Sequence, residues 1–131
     1  MSNRINHENT IERVIAWIEE NLYRPLTIEN VAYRSGYSRR HIQYLFKKKT
    51  GMSLGSYIRE RRLVRAADAL RCTSKKILHV ALEHGFDSHQ TFTSAFTQRF
   101  GKPPGKWRED YMSSQSAYRL ILFLRKPKAP A

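Results

Sequence analysis

VAYRSGYSRRHIQYLFKKKTG, residues 31–51, recurs in a second form, VALEHGFDSHQTFTSAFTQRFG, at residues 80–101. Both stretches begin with Val-Ala and reach a glycine followed by an aromatic residue, Gly36-Tyr37 and Gly85-Phe86. The further matches are Ser38 with Ser88, Ile42 with Phe92, Phe46 with Phe96, and Gly51 with Gly101. The second copy has one additional residue, Asp87, before its serine. One structural unit is therefore repeated about fifty residues apart, and this repeat determines the fold.

The first copy has the outline of two helices joined by a short turn. Thr27 is predicted to cap a helix that ends near Ser35, because a hydroxyl oxygen accepts hydrogen bonds from the free amides at a helix start. Gly36 can adopt the left-handed conformation that ends a helix, and Ser38 is predicted to cap the next helix. This is the outline of a helix-turn-helix unit.

The second copy predicts the same unit. Residues 80–84 form most of a short helix that ends at Gly85, and Asp87 or Ser88 begins the next helix. Between the copies, SLGSYIRERRLVRAADALRC has apolar residues at helical spacing and no Gly or Pro after Ser56. A helix of roughly 18 residues spans about 27 Å. With the flanking units, such a spacer could place the second helices of the two copies ~34 Å apart, one turn of B-DNA.

Helices are also predicted at both ends of this arrangement. Apolar residues recur at helical spacing over residues 11–22, with Asn9 or Thr10 as the cap and an end near Asn21, before Pro25. Pro103-Pro104 opens a short last helix that holds Trp107 and Tyr111. The chain is therefore predicted to be all-α, with about seven helices. Its predicted parts are an N-terminal helix-turn-helix subdomain (8–52), a linker helix (53–73), a C-terminal helix-turn-helix subdomain (74–112) and a tail (113–131).

Composition restricts the function. The 131 residues carry a formal net charge of +13, which indicates a polyanionic partner, and 40% of them are apolar, enough for a core. A chain of this length leaves no room for a separate sensor or catalytic domain. The single cysteine, Cys72, cannot form an intramolecular disulfide, and no apolar stretch resembles a signal peptide or a membrane span. These features predict a cytoplasmic, nucleoid-associated protein without membrane partners.

The second helix of each copy has an apolar face and a polar face. In the first helix, predicted over residues 38–50, the outward residues are Arg39, Arg40, Gln43, Tyr44 and Lys47. In the second, predicted over residues 88–100, they are His89, Gln90, Thr93, Ser94 and Thr97. Such side chains suit base edges and phosphates, although polar rows are ordinary on any solvated helix. Their repetition behind the same Gly-aromatic-Ser pattern favours contact with DNA.

The segments WIEENL, PLTIENVAYRSGYS, LFKKKTG, SLGSYIRERR and GFDSHQTFT, with the closing PP-x-x-W segment, resemble the AraC/XylS family of bacterial transcription regulators, most closely its short members. The resemblance covers roughly residues 11–111. It implies two helix-turn-helix subdomains on a long helix, monomeric binding to an asymmetric site through successive major-groove segments, and activation through recruitment of RNA polymerase. Its short members further imply that activity is set by how much protein is made and degraded.

The resemblance also assigns individual residues. The base-contacting positions of the family correspond to Arg40, Gln43, Tyr44, His89, Gln90, Thr93 and Ser94. Phosphate contacts are predicted for Arg39, Lys47, Lys48 and Thr97. Arg40 stands where the short members have Trp, and Tyr44 and Ser94 stand where they have Arg. Because an Arg that forks onto guanine provides ~1–3 kcal/mol of discrimination, we expect a shifted preference in DNA sequence.

Other classes of site are disfavoured. His79, Glu83 and His84 lie close together, but they lack the paired spacing of a metal site. Cys72 is interpreted as a buried or neutral thiol, since no basic group is organised around it. No catalytic constellation is found, so no cofactor is expected and the chain is predicted not to be an enzyme. A repair enzyme with AraC-like segments and a reactive cysteine would need a catalytic domain as well.

Two questions stay open from sequence. The tail after Met112 contains an apolar run, residues 120–124, between basic residues. We expect it to pack back on the last subdomain; the alternatives are a disordered end, an oligomer contact or a loose membrane association. For the whole chain, the alternative function is a non-specific polyanion-binding protein, either architectural on DNA or bound to a membrane surface.

Overall fold

Three of the polar residues predicted as caps, Thr27, Ser38 and Ser88, begin helices. In a computed structural model, which describes residues 3–125, Thr27, Ser38 and Ser53 each accept a hydrogen bond from the backbone amide three residues ahead, at 3.1, 3.1 and 3.2 Å. Ser88, rather than Asp87, does the same at 3.1 Å. The helices are α1 (Asn3–Glu20), α2 (Ile28–Ser35), α3 (Arg39–Thr50), α4 (Leu54–Cys72), α5 (Ile77–Glu83), α6 (His89–Phe100) and α7 (Pro104–Arg125). The all-α prediction with seven helices is confirmed.

Glycines end the helices of both repeats. Gly36 follows α2 with a φ of 79°, and Gly51 and Gly101 follow α3 and α6 with φ values of 80° and 81°. These left-handed conformations strain residues that have a Cβ atom. Each glycine amide donates to a carbonyl of the preceding turn, so the free carbonyls at the helix ends are satisfied.

The interior consists of two apolar clusters that share one helix. The first joins buried residues of α1, α2 and α3 to Leu54 and Ile58 of α4. The second joins residues of α5 and α6 to the other half of α4, which contributes Leu63, Leu70 and two alanines. The chain is thus two helix-turn-helix subdomains on one linker helix, as predicted. Because α4 belongs to both cores, its two halves cannot rotate independently without loss of packing.

Helices α1 and α5 begin earlier in the chain than predicted. Helix α1 begins at Asn3, so Asn9 and Thr10 lie inside it and neither is its cap. Helix α5 begins three residues before Val80, behind Lys76, which makes no side-chain cap bond. Apolar periodicity marks the turns of a helix that are buried. It therefore gave no signal for the polar first turns of α1.

The prediction of a short last helix is wrong. Helix α7 continues to Arg125, because Gly105 is followed by neither Gly nor Pro until Pro127. The apolar run at residues 120–124 lies on this helix with exposed fractions between 46% and 73%. The expected packing of the run onto the last subdomain is therefore also wrong. Residues 126–131 of the predicted tail lie outside the described part of the chain.

A cluster of charged side chains fastens α1 to α4. Glu19 accepts from Arg61 at 2.6 Å and from Arg65 at 3.2 Å. Tyr57 donates its hydroxyl to the same carboxylate at 3.4 Å. Burial acts to raise the pKa of Glu19, but the hydrogen bond from Arg61 and the charges of Arg61 and Arg65 outweigh it, so the pKa is lowered. The cluster therefore stabilises the fold while the carboxylate is ionised.

We expect the stability of the fold to depend on this carboxylate in acid. A lowered pKa in the folded state stabilises the protein above the ordinary pKa of Glu, and this contribution is lost as the pH falls through the folded value. The free energy of unfolding, measured with urea at several pH values in this acid range, should fall more for the wild-type protein than for Glu19→Gln. The expected difference is roughly 1–2 kcal/mol, as for charge-assisted hydrogen bonds. Equal losses in the two proteins would contradict this role for Glu19.

Truncation after Ser114 should leave the core intact. The described side chains at residues 120–124 are exposed, so their removal withdraws little buried apolar surface from the fold. We expect a Tm close to that of the full chain and improved solubility at high protein concentration, measured by thermal unfolding and light scattering. A fall in Tm of many degrees would mean that the end of α7 supports the core.

Candidate DNA interface

The second helix of each repeat is anchored by its apolar face. In α3, Ile42 and Phe46 are fully buried, and in α6, Phe92 and Phe96 are fully buried. Each pair lies four residues apart, so it holds one stripe of its helix against the core. The other stripe is left to solvent. This is why the two polar faces predicted from sequence both point outward.

The structure places the predicted base-contacting residues on these two outward faces. Arg40, Gln43 and Tyr44 are exposed on α3, as are His89, Gln90 and Ser94 on α6. Thr93 is half-buried. Each face brings its own residues together on one side of one helix. The contacts with DNA that were predicted for them stay predictions.

Two side chains on the α3 face have partners within the chain. The guanidinium of Arg39 forms an ion pair with Glu29 of α2 at 2.7 Å, with both side chains about 60% exposed. The ammonium of Lys48 lies over the ring of Tyr44, 5.8 Å from its centroid. An exposed ion pair contributes about 0–1 kcal/mol, so Arg39 can exchange Glu29 for a phosphate at little cost.

The α6 face is organised by hydroxyl groups. Thr93 Oγ1 lies 3.4 Å from Nδ1 of His89, one turn earlier. Thr97 donates its hydroxyl to the carbonyl of Thr93 at 2.7 Å and is half-buried. A phosphate oxygen can only accept, so contact with Thr97 would require this internal bond to break. Of the four predicted phosphate contacts, Thr97 is the least suited.

Arg99 is the only basic residue of α6 apart from His89, and it is engaged elsewhere. Its Nε lies 2.8 and 2.7 Å from the two carboxylate oxygens of Glu60 on α4. This hydrogen bond lowers the pKa of Glu60 against a smaller opposing effect of burial. Sequence analysis missed the pair because its members are 39 positions apart. The cation therefore links α6 to the linker helix.

The two faces consequently differ in electrostatics. Helix α3 has no acidic residue in its first turn and ends with Lys47, Lys48 and Lys49, all exposed. Helix α6 offers mainly neutral hydrogen-bonding groups. A polyanion is therefore attracted more strongly to α3.

Other kinds of site find little support. Among the side chains that the structure describes, no group of three or more His, Cys, Asp or Glu residues is arranged to hold a metal ion. Cys72 is an exposed free thiol, so the first alternative of the interpretation as a buried or neutral thiol is wrong. Among the described helices, none combines the length and apolarity needed to cross a membrane.

Two helix pairs, each with an exposed polar face on its second helix, have the architecture of helix-turn-helix DNA-binding proteins. A family model described as a helix-turn-helix domain matches residues 31–110, which span both repeats. The chain belongs to this AraC-type family of DNA-binding transcription regulators, and it is not an enzyme.

Relatives of known name support this assignment. The chain is 45% identical over 122 residues to the multiple antibiotic resistance protein MarA of Salmonella typhimurium, covering 93% of this chain and 96% of that protein. It is 44% identical to MarA of Escherichia coli K12 over 118 residues, covering 90% of this chain and 93% of that protein. It is 47% identical to the right origin-binding protein of Escherichia coli K12 over 98 residues, which are 75% of this chain but 34% of that protein.

Solved structures agree on the fold. The DNA-binding domain of AdpA, a global transcriptional factor crystallised with a target DNA, superposes with a TM-score of 0.79 at 25% identity, covering 81% of this chain and 96% of that one. An AraC-type regulator from Chromobacterium violaceum superposes with a TM-score of 0.74 at 32% identity, covering 82% and 96% of the two chains. The two-subdomain arrangement is therefore shared with DNA-binding proteins.

The charge difference between α3 and α6 predicts an unequal effect of matched substitutions. Because α3 ends in exposed lysines while Arg99 of α6 is paired with Glu60, we expect Arg40→Ala to weaken binding to one preferred DNA site more than Gln90→Ala does. The loss for Arg40→Ala should be about 1–3 kcal/mol, as for a base contact. Titration of a labelled duplex at fixed salt measures both variants. A larger loss from Gln90→Ala would contradict the dominance of the first unit.

Proposed function

We propose that this regulator binds an asymmetric promoter site as a monomer and activates transcription by recruiting RNA polymerase. In this proposal α3 and α6 enter successive major-groove segments on one face of the DNA. The supporting observation is that one chain has two helices with outward polar faces, α3 and α6, and that a single continuous helix, α4, joins their units. The proposal also includes association with the nucleoid, as expected for a protein that binds chromosomal DNA.

The geometry of α4 supports double binding by one chain. Its 19 residues correspond to about 28 Å of helix, and each half is built into a different core. Adding part of the width of each unit brings the separation of α3 and α6 toward ~34 Å, the repeat of B-DNA. Dimeric regulators obtain two such helices from two subunits. Here both helices are present in one polypeptide.

The chemistry of the two faces supports an asymmetric site. Arg40 on α3 is suited to bidentate bonds with guanine, while Gln90 on α6 is suited to adenine. Gln43 and Tyr44 complete the proposed base contacts of α3, and His89, Thr93 and Ser94 complete those of α6. Since the faces have different side chains, the preferred half-sites should differ in sequence. A palindrome would match only one of them.

Phosphate contacts would come mainly from the first unit. Lys47 and Lys48 lie in the last turn of α3, and Arg39 can leave its exposed ion pair with Glu29. These contacts would fix the register of the protein without selecting bases. The second unit would then contribute sequence selection more than attraction.

Activation is the part of the proposal that depends on the family. The resemblance to AraC/XylS regulators implies recruitment of RNA polymerase. The support for this step is the similarity to MarA, which covers 93% of the chain. Arg40, Tyr44 and Ser94 depart from the short members, so the promoters themselves are not inferred from those relatives. A shifted site is expected instead.

The second candidate function is non-specific binding to polyanions. The net charge of +13 favours it, and the basic end of α3 would suffice for it. Non-specific binding requires positive charge, but it does not require two helix faces with hydroxyl and amide side chains. The Thr93–His89 contact and the uncharged groups on α6 therefore favour sequence-specific binding.

Selection of bound sequences from a random DNA pool tests the two candidates. We expect a two-part asymmetric consensus with half-sites about one helical turn apart. Salt titration of that site should give a log-log slope near −6 to −9, as for roughly 6–10 neutralised phosphates. The scrambled duplex serves as the control for base-independent binding, and sedimentation of the complex gives its stoichiometry.

Each part of the proposal can fail separately. Equal binding of the selected and scrambled duplexes would leave a general polyanion binder. A palindromic consensus with two protein chains per duplex would replace the monomer by a dimer. Transcription from a supercoiled template that carries the selected site upstream of a promoter tests activation, and an unchanged or reduced transcript level would contradict it.

A further inference from the structure

Arg62 lies in the middle of the linker helix and donates to two carbonyls of the first unit. Its Nε donates to the carbonyl of Leu22 at 3.2 Å, and its Nη2 donates to the carbonyl of Arg24 at 2.7 Å. Both acceptors belong to the connection between α1 and α2, where the backbone has left the helix. Arg62 is half-buried there. Arg62 therefore holds the connection that leads into the first helix-turn-helix unit.

The same guanidinium touches the turn of the second unit. A Cβ atom built on Gly85, which has a φ of +85°, would lie 2.7 Å from Cζ and 2.8 Å from Nε of Arg62. The equivalent glycine of the first repeat, Gly36, would meet nothing within 4 Å. The backbone of the second turn therefore approaches Arg62 so closely that a side chain in place of Gly85 would force the guanidinium to move. The two turns have different surroundings despite their similar sequences.

Asp87 adds a charge to this contact. It lies on the wall of a cleft, together with Arg62, Gly85 and the connection at residues 23–27. Asp87 is also the additional residue that distinguishes the second repeat from the first. Burial lowers the pKa of Arg62, and the charge of Asp87 opposes this effect. The negative charge of Asp87 thus partly compensates the positive charge of Arg62, which is half-buried against the first unit.

We infer that Arg62 is a positioning residue that fixes the orientation of the second helix-turn-helix unit relative to the first, and hence the half-site spacing that the protein accepts. The inference deepens the proposed function and rests on it. Arg62 would act through the two turns and would not touch DNA. A change in its side chain should therefore alter spacing tolerance rather than base preference.

The other polar links in the described chain do not duplicate this arrangement. Glu19 with Arg61 and Arg65 fastens α1 to α4, within the first unit and the linker. Glu60 with Arg99 fastens α4 to α6, within the linker and the second unit. Arg62 contacts both units at once. A planar guanidinium can donate to two carbonyls while its face lies against a backbone turn, whereas an ammonium group cannot.

Spacing variants of the selected DNA site provide the test. Wild-type protein is titrated against the selected duplex and against duplexes with one base pair inserted or removed between the half-sites. One base pair rotates the half-sites by about 34°. We expect the wild type to lose about 10-fold or more in affinity on either shifted duplex. Arg62→Ala should lose less than about 3-fold, because its two units are then joined only by their packing on α4 and can adjust their orientation more easily.

Matched variants separate positioning from folding and from charge. Arg65→Ala removes another cation of α4 that contacts only the first unit, so it should keep the spacing preference of the wild type. Arg62→Lys keeps the charge but loses the planar group, so it should still tolerate the shifted duplexes. Asp87→Asn removes the facing charge and should give a smaller effect in the same direction. Thermal unfolding checks that each variant is folded.

The outcomes distinguish the inference from the proposal beneath it. If the wild type itself binds all spacings equally, double binding by one chain fails, and the role of Arg62 fails with it. If the wild type is selective and folded Arg62→Ala or Arg62→Lys is equally selective, the inference alone is overturned. Should Arg62→Ala not fold, Arg62→Lys and Asp87→Asn decide the question on the same duplexes.

Discussion

The sharing of α4 between two apolar cores is the constraint on which the rest of the molecule depends. Leu54 and Ile58 belong to one core, while Leu63 and Leu70 belong to the other, on a helix without an interruption between them. Each helix-turn-helix unit is too small to bury much surface alone. Packed on opposite halves of one helix, the two units support each other. The same packing limits where α3 and α6 can lie relative to one another, and within those limits Arg62 would fix their orientation.

The repeat in the sequence predicted the elements that are determined locally. Ser38 and Ser88 cap α3 and α6 because a serine hydroxyl just before a helix accepts a hydrogen bond from a free amide of its first turn. The outward position of Gln43 and Gln90 follows from the burial of Ile42, one residue before Gln43, and of Phe92, two residues after Gln90. These features depend on residues within one or two turns of the chain, so a linear pattern was sufficient for them.

Features that depend on distant partners could not be predicted in this way. The pairing of Arg99 with Glu60 and the bonds of Arg62 to the first unit join residues that are 38 or more positions apart. The internal bond of Thr97 is local, but nothing in the pattern says which hydroxyl on a polar face will bond to its own backbone. The length of α7 was missed for another reason. The side chains described in its last turns, at residues 120–124, are exposed, and apolar periodicity detects only buried faces.

The pairing of Arg99 with Glu60 has a consequence for how such a protein would search a genome. With its cation held by the linker helix, α6 presents a largely neutral face, while α3 ends in three exposed lysines. Phosphates would then be held more firmly by the α3 face than by the α6 face. Release of the α6 face from a wrong sequence would leave the chain attached through α3, so that it could slide to the next candidate without returning to solution.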